Sequence, residues 1–258
     1  MSALLEAKDL SKKFGGVVAL DRLDLNVAPK EILGLIGPNG SGKTTFFNVA
    51  TGIYSADTGK VIFEGSDITR ASPRAAFNAG IARTFQRSRL SLPLTIFDNL
   101  MIGNHKRLTQ GLWFNLITRG KFRREFEEGY GAARALLEMF EPKLARSMFD
   151  PVARLPMIDR RRIEICRALI SEPKLLLLDE PSAGMTREET TELMSDILQM
   201  RNHNKNVTII IVEHEMSVIE RITDRCVVLN FGRKIAEGPY REVAANALVQ
   251  EAYLGLAS

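Results

Sequence analysis

Residues 37–45 read GPNGSGKTT, and within them Gly37, Gly42, Lys43 and Thr44 meet the spacing GxxxxGK[ST]. Glycines at those points let successive backbone N–H groups curl around phosphate oxygens without Cβ obstruction, and a helix starting directly afterwards adds positive potential. Lys43 then meets the β and γ phosphates of a nucleotide as a compact cation. The Thr44 hydroxyl ligates the Mg²⁺ that bridges them, and Asn39, Gly40, Ser41 and Thr45 complete the loop's contacts.

A second group follows far downstream. Asp179 and Glu180 are adjacent carboxylates at the end of the apolar run KLLLLD, residues 174–179. In open α/β sheets the ligand crevice forms at such strand ends. Asp179 there holds Mg²⁺ through water, and Glu180 orients or deprotonates the water that attacks the γ phosphate in line. A solvated acidic turn is the alternative, and the phosphate loop disfavours it, because that loop needs a metal-holding carboxylate. His214 follows VTIIIV, residues 207–212, after one intervening glutamate. Its ring is placed to contact the γ phosphate and to hold the Glu180 region.

These residues work only if particular elements carry them. Residues 31–37, EILGLIG, form a short apolar run ending at Gly-Pro-Asn-Gly, which predicts a buried strand entering a tight turn, with a helix over 43–51. Strand, glycine loop and helix open a P-loop α/β unit with a mostly parallel sheet. KLLLLD, VTIIIV and residues 226–230 supply further strands covered on both faces. Alternating segments over 3–28, resumed at 59–63, predict a small flanking antiparallel sheet, so the sheet structure is mixed overall. Residues 122–140 and 160–170 have helix-forming composition and apolar spacing, which makes 88–170 an inserted helical lobe between catalytic-core segments 1–87 and 171–258. The stretch 103–120 reads as irregular. All of it forms one nucleotide-binding domain over 1–258.

Composition narrows the class. With 258 residues, 45% hydrophobic and 26% charged, an ordinary globular core is expected. A balance of 35 basic against 31 acidic side chains gives a net charge of +4, which does not indicate a nucleic-acid partner. Cys166 and Cys226 make no disulfide framework and fit a reducing cytoplasm. His105, His203 and His214 lack ligand spacing for zinc. No apolar run approaches the roughly 18 residues of a membrane span, so any membrane role is peripheral.

Taken together, GPNGSGKTT, Gln86 in TFQRS, LLLLDEP and the histidine of VEHEM resemble the ATP-binding subunit of ABC transporters over essentially the whole chain. The resemblance implies an ATPase with ATP and Mg²⁺ as its ligands. It makes Gln86 the glutamine that reaches Mg²⁺ and the attacking water and reports nucleotide state to the membrane domain. Phe14, in LSKKFGG, becomes the aromatic that stacks on adenine, with Val18 beside it; a core phenylalanine is the alternative. Residues 182–185, SAGM, stand where the family's D-loop crosses a dimer interface, with Met185 in place of the usual Asp.

One segment departs from the family. Where it reads like LSGGQ, this chain has Leu155-Pro156-Met157-Ile158-Asp159 before RRRIEICRAL. In the family the serine hydroxyl and the glycine-lined backbone cap the γ phosphate on the opposite subunit's loop. Pro156 has neither hydroxyl nor N–H, and Ile158 puts a branched side chain where close approach needs glycine. A catalytically poor signature face follows. The insert around Trp113, GMTREET and the ending AYLG are similar to ATPases of branched-chain amino-acid uptake, with a urea or short-amide branch also similar. That implies a second, non-identical ATPase subunit, permease subunits docking near 87–99, and indirectly a periplasmic binding protein, at the cytoplasmic face of a bacterial inner membrane. A regulatory subunit with little hydrolysis is the alternative.

Overall fold

A computed structural model describes residues 3–84, 90–104, 119–203 and 206–254, the side chains of 119–122 excepted. The chain divides into two compact units, one formed by residues 1–83, 174–181 and 205–258, the other by 84–173 and 182–204.

The first unit contains two sheets. Strands β1 (Leu5–Phe14), β2 (Val17–Val27), β4 (Thr58–Phe63) and β5 (Ser66–Asp67) make an antiparallel sheet in the order β2-β1-β4-β5. A larger sheet runs β10-β9-β3-β8-β7-β6, from β10 (Arg233–Gly238), β9 (Arg225–Asn230), β3 (Ile32–Ile36), β8 (Thr208–Val212), β7 (Leu175–Asp179) and β6 (Ile81–Arg83). β10 pairs antiparallel to β9, and the other pairings are parallel. The mixed, mostly parallel sheet with an antiparallel companion is therefore observed.

All five residues of β3, β7 and β8 are buried, as expected of strands covered on both faces. Leu33 and Leu35 share a core with Phe46, Phe47 and Val49 of α1 (Lys43–Ala50) and with the inner face of the antiparallel sheet, including Leu10, Leu20, Leu23 and Phe63. On β3's other face Gly34 leaves space for α8 (Met216–Ile222): a Cβ at Gly34 would lie 3.1 Å from Cys226 Sγ and 3.4 Å from Ile219. Both cysteines are free and buried. Helix α2 (Pro73–Ala79) starts at a Ser72 cap with proline in its first turn and ends at Gly80 with φ 113°.

The second unit is helical. It comprises α3 (Ile96–Gly103), α4 (Arg119–Phe140), α5 (Pro142–Arg146), α6 (Met157–Leu169) and α7 (Arg187–His203). Helix α4 begins at Arg119 rather than at residue 122. Helix α6 begins at Met157 rather than at residue 160, because Pro156 at its N-cap presets φ to −60°. Helix α3 opens on a reciprocal capping box between Thr95 and Asp98. It approaches α6 closely at Gly103, where a Cβ would lie 2.0 Å from the Arg167 carbonyl oxygen. Arg162 ties α6 to α7 through Asp196 at 2.9 Å and Glu192 at 2.5 Å. Of the stretch read as irregular, residues 105–118 lie outside the described residues, Gly103 closes α3 and residues 119–120 belong to α4. Helices α9 (Tyr240–Ala244) and α10 (Ala247–Leu254) end the described chain in the first unit. Among the described residues no helix is long and apolar enough to cross a membrane.

Candidate nucleotide site

The order of the larger sheet sets the site. β3 lies between β9 and β8, with β7 next to β8, so the C-terminal ends of β3, β7 and β8 come side by side. Gly37 directly follows β3, Glu180 directly follows β7, and His214 lies two residues beyond β8. In register, Asp179 sits opposite Val212, and the Glu180 N–H donates to the Val212 carbonyl at 2.9 Å. Segments far apart in sequence thus meet at one edge.

The phosphate-type loop is built by close approach. A Cβ at Gly37, φ 145°, would lie 2.1 Å from the Leu229 carbonyl oxygen. One at Gly42, φ 108°, would lie 2.5 Å from that of Ala19. Gly42 is also the N-cap of α1, with no side-chain cap and no acidic residue in the first turn. The helix start therefore presents backbone N–H groups with no protein anion among them, as an anion site requires.

Lys43 folds back over this loop, its Nζ donating to the Gly37 carbonyl at 2.7 Å and the Pro38 carbonyl at 3.0 Å. Burial holds its ammonium below the usual lysine range, against the raising effect of Glu180 and Asp179. Among the described residues two carbonyls accept from this buried cation, an arrangement that suits an incoming polyanion. The Ser41 hydroxyl is buried and, among the described residues, has no hydrogen-bond partner. Asn39, Gly40 and Thr44 are exposed and Thr45 is partly so. The Tyr253 phenol lies near the Gly37 backbone, and burial pushes its pKa up to about 12. The end of the described chain thereby reaches the loop.

Glu180 and His214 are brought together: Nε2 of the ring lies 2.7 Å from Oε1 of the carboxylate. Glu180 has φ 48°, a left-handed conformation that costs a non-glycine residue about 1–2 kcal/mol, and strain of that kind gathers at functional sites. The carboxylate side chain is 18% exposed, so water reaches it. Asp179 is held differently. Arg83, ending β6, donates from Nη2 to Asp179 Oδ2 at 2.6 Å, and both side chains are almost fully buried.

Phe14 is 42% exposed and Val18 40%, which removes the reading of Phe14 as a core residue. Phe14 packs edge-to-face on Tyr54 at 5.1 Å, and Lys12 Nζ lies over its ring. Phe14 ends β1 and Val18 lies in β2, the strand that carries Ala19 against Gly42. Gln86 and Trp113 lie outside the described residues.

In the helical unit, Pro156 caps α6 without a side-chain hydrogen bond, Met157 is 51% exposed and Ile158 is buried. The Met157 sulfur would lie 3.4 Å from a Cβ at Gly184, so residues 182–185 pack on the departed signature segment. Sequence reading passed over Arg83, Asn48 and Tyr54. An arginine ending a short apolar strand was the available signal for Arg83.

A strand-loop-helix phosphate cradle at a sheet crossover, with paired carboxylates and a histidine on neighbouring strand ends, defines a P-loop nucleoside-triphosphatase. Comparison with known proteins sharpens that class. The profile described as ABC transporter matches residues 20–183, and one described as branched-chain amino acid ATP-binding cassette transporter matches residues 233–256. The chain is 37% identical over 252 residues to the high-affinity branched-chain amino acid transport ATP-binding protein LivG of Escherichia coli K12, with 98% of each chain covered. It is 35% identical to BraF of Pseudomonas aeruginosa, a protein of the same description, again with 98% of each covered. A crystal structure of the ADP conformation of an ATP-binding cassette of an ABC transporter superposes with a TM-score of 0.85 at 31% identity, covering 99% of this chain and 100% of that one. The chain belongs to the ABC transporter family as an ATP-binding subunit, an ATPase whose hydrolysis is coupled to transport.

Proposed function

We propose that this chain is the ATP-hydrolysing subunit of an importer for branched-chain or related amino acids, working as half of an ATPase dimer at the cytoplasmic face of the membrane. The observation that carries hydrolysis is the Glu180–His214 hydrogen bond on strand ends beside the Lys43 loop. The solute class rests on the relatives LivG and BraF and on the profile matched at 233–256.

In this reading the loop amides, Lys43 and Ser41 receive the β and γ phosphates, and Phe14, with Val18 beside it, offers a face to adenine. Glu180 aligns the attacking water and takes its proton as the water oxygen bonds to the γ phosphorus and the bond to ADP breaks. His214 fixes the Glu180 rotamer and reaches toward the γ phosphate. Thr44, Gln86 and Asp179 are the oxygen donors that would hold Mg²⁺, which would supply neutralisation of phosphate charge. Asp179, with one oxygen fixed by Arg83, suits contact with that ion through water. Residues 87–99 receive a permease subunit, and a periplasmic binding protein acts through the permease.

Substituting Glu180→Gln in the complex reconstituted with its permease should leave ATP binding intact and lower turnover by at least about 10²-fold, the scale of general-base catalysis. Unchanged turnover would refute the assignment. A second, non-identical ATPase is supported by Pro156, which has no N–H or hydroxyl to cap a phosphate. The isolated chain should therefore hydrolyse far more slowly than the heteromer. Equal rates would remove the asymmetric-site reading, and negligible turnover of the heteromer would favour the regulatory alternative.

A further inference from the structure

Arg83 is the one arginine of the described chain that joins the phosphate-loop helix to the carboxylate strand. Its Nη1 donates to Asn48 Oδ1 at 2.6 Å, in the last turn of α1. Its Nη2 donates to Asp179 Oδ2 at 2.6 Å, at the end of β7. The guanidinium stacks over the Phe47 ring at 5.3 Å, and its side chain is only 6% exposed. Three contacts from one planar fork fix both its position and its direction, which a lysine could not reproduce.

The placement has an electrostatic consequence. Asp179 is the carboxylate whose chemistry suits a divalent cation, and a buried unit positive charge already lies against it. Removing Arg83 takes a positive charge away from a buried carboxylate, and a cation arriving from solvent then gains the attraction Arg83 had taken. We infer that Arg83 is a positioning residue that sets how strongly the site draws Mg²⁺: it holds Asp179 in register with α1 and, by repelling the ion, weakens metal affinity. This rests on the reading of Asp179 as a metal-facing residue.

The test is thermal unfolding of the full chain with ADP at fixed concentration, titrated with Mg²⁺. A ligand that binds only the folded state raises Tm according to its affinity, so the Mg²⁺-dependent rise reports metal binding without turnover. Arg83→Met should lower Tm without Mg²⁺ and shift the Mg²⁺ midpoint about tenfold lower, the scale of removing one unit charge near a divalent ion at water-like screening. Asn48→Ala, which spares the pair with Asp179, should lower Tm equally at every Mg²⁺ concentration. A midpoint in Arg83→Met equal to or higher than wild type overturns the inference, because a purely structural brace moves all points together. If Arg83→Met does not fold, Arg83→Lys decides by the same comparison: its charge, no longer fixed by Asn48, should give a smaller shift in the same direction, and no shift overturns the inference. Asp179→Asn separates the two ideas. If it keeps the full wild-type Mg²⁺ response, the reading of Asp179 has failed. If it loses that response while the Arg83 variants match wild type, only the role of Arg83 has failed.

Discussion

Ser41→Ala should make the protein more stable and a poorer nucleotide binder at once. The Ser41 hydroxyl is buried and has no hydrogen-bond partner among the described residues, while its backbone is fully engaged: the N–H donates to Pro38 at 3.2 Å and the carbonyl accepts from Gly232 at 3.0 Å. Alanine keeps both backbone bonds and removes a buried polar group that costs about 1–3 kcal/mol when unpaired. Taking the low end, about 1 kcal/mol, Tm of the nucleotide-free protein should rise by about 2–4 °C for a chain of this size. The hydroxyl's lost bond to a charged phosphate oxygen is worth about 1.5–3 kcal/mol, or roughly 10- to 150-fold in Kd. Differential scanning fluorimetry without nucleotide gives the first number, and titration calorimetry with ADP the second. A lower Tm with unchanged Kd would mean that the hydroxyl serves the fold, and the argument from its missing partner would be wrong.

Gly37→Ala should cost more than about 3 kcal/mol of stability by chemical denaturation, since its Cβ would lie 2.1 Å from a strand carbonyl at a φ of 145° that L-residues rarely adopt. Phe14→Ala, at a ring 42% exposed, should change stability by less than about 1 kcal/mol yet weaken ATP binding by about 1–3 kcal/mol, the worth of a base stack. For Lys43 the sign runs with pH. Burial depresses its folded pKa below 10.5, so between that lowered value and 10.5 the unfolded chain binds more protons and stability rises with pH. Binding a polyanion restores the ammonium, so ADP binding in that window should take up protons, measurable by calorimetry in buffers of different ionisation enthalpy, and Lys43→Met should abolish the uptake.

The residues proposed to do chemistry were legible because their types are demanding. A loop that wraps phosphate needs glycines at fixed spacing followed by Lys-Thr, and strands buried on both faces need unbroken apolar runs, so 37–45, KLLLLD and VTIIIV could be read without a structure. Departures were legible too: Pro156 lacks an N–H wherever it sits. The shorter elements were not. β6 has three residues, too few for any period, and the polar face of α7 obscures its spacing of Leu193, Met194, Ile197 and Met200.

What sequence could not give is adjacency. That His214 holds Glu180, 34 positions away, could be anticipated because both follow buried strands, but nothing in the sequence says that Arg83 and Asp179, 96 apart, touch. The order β3-β8-β7-β6 decides it, because parallel strands in register deliver their C-terminal residues to one edge. The same order turns Arg83 from an unremarkable strand residue into the partner of Asp179. Composition and spacing determined which groups this chain brings to a nucleotide; the sheet alone determined which of them meet.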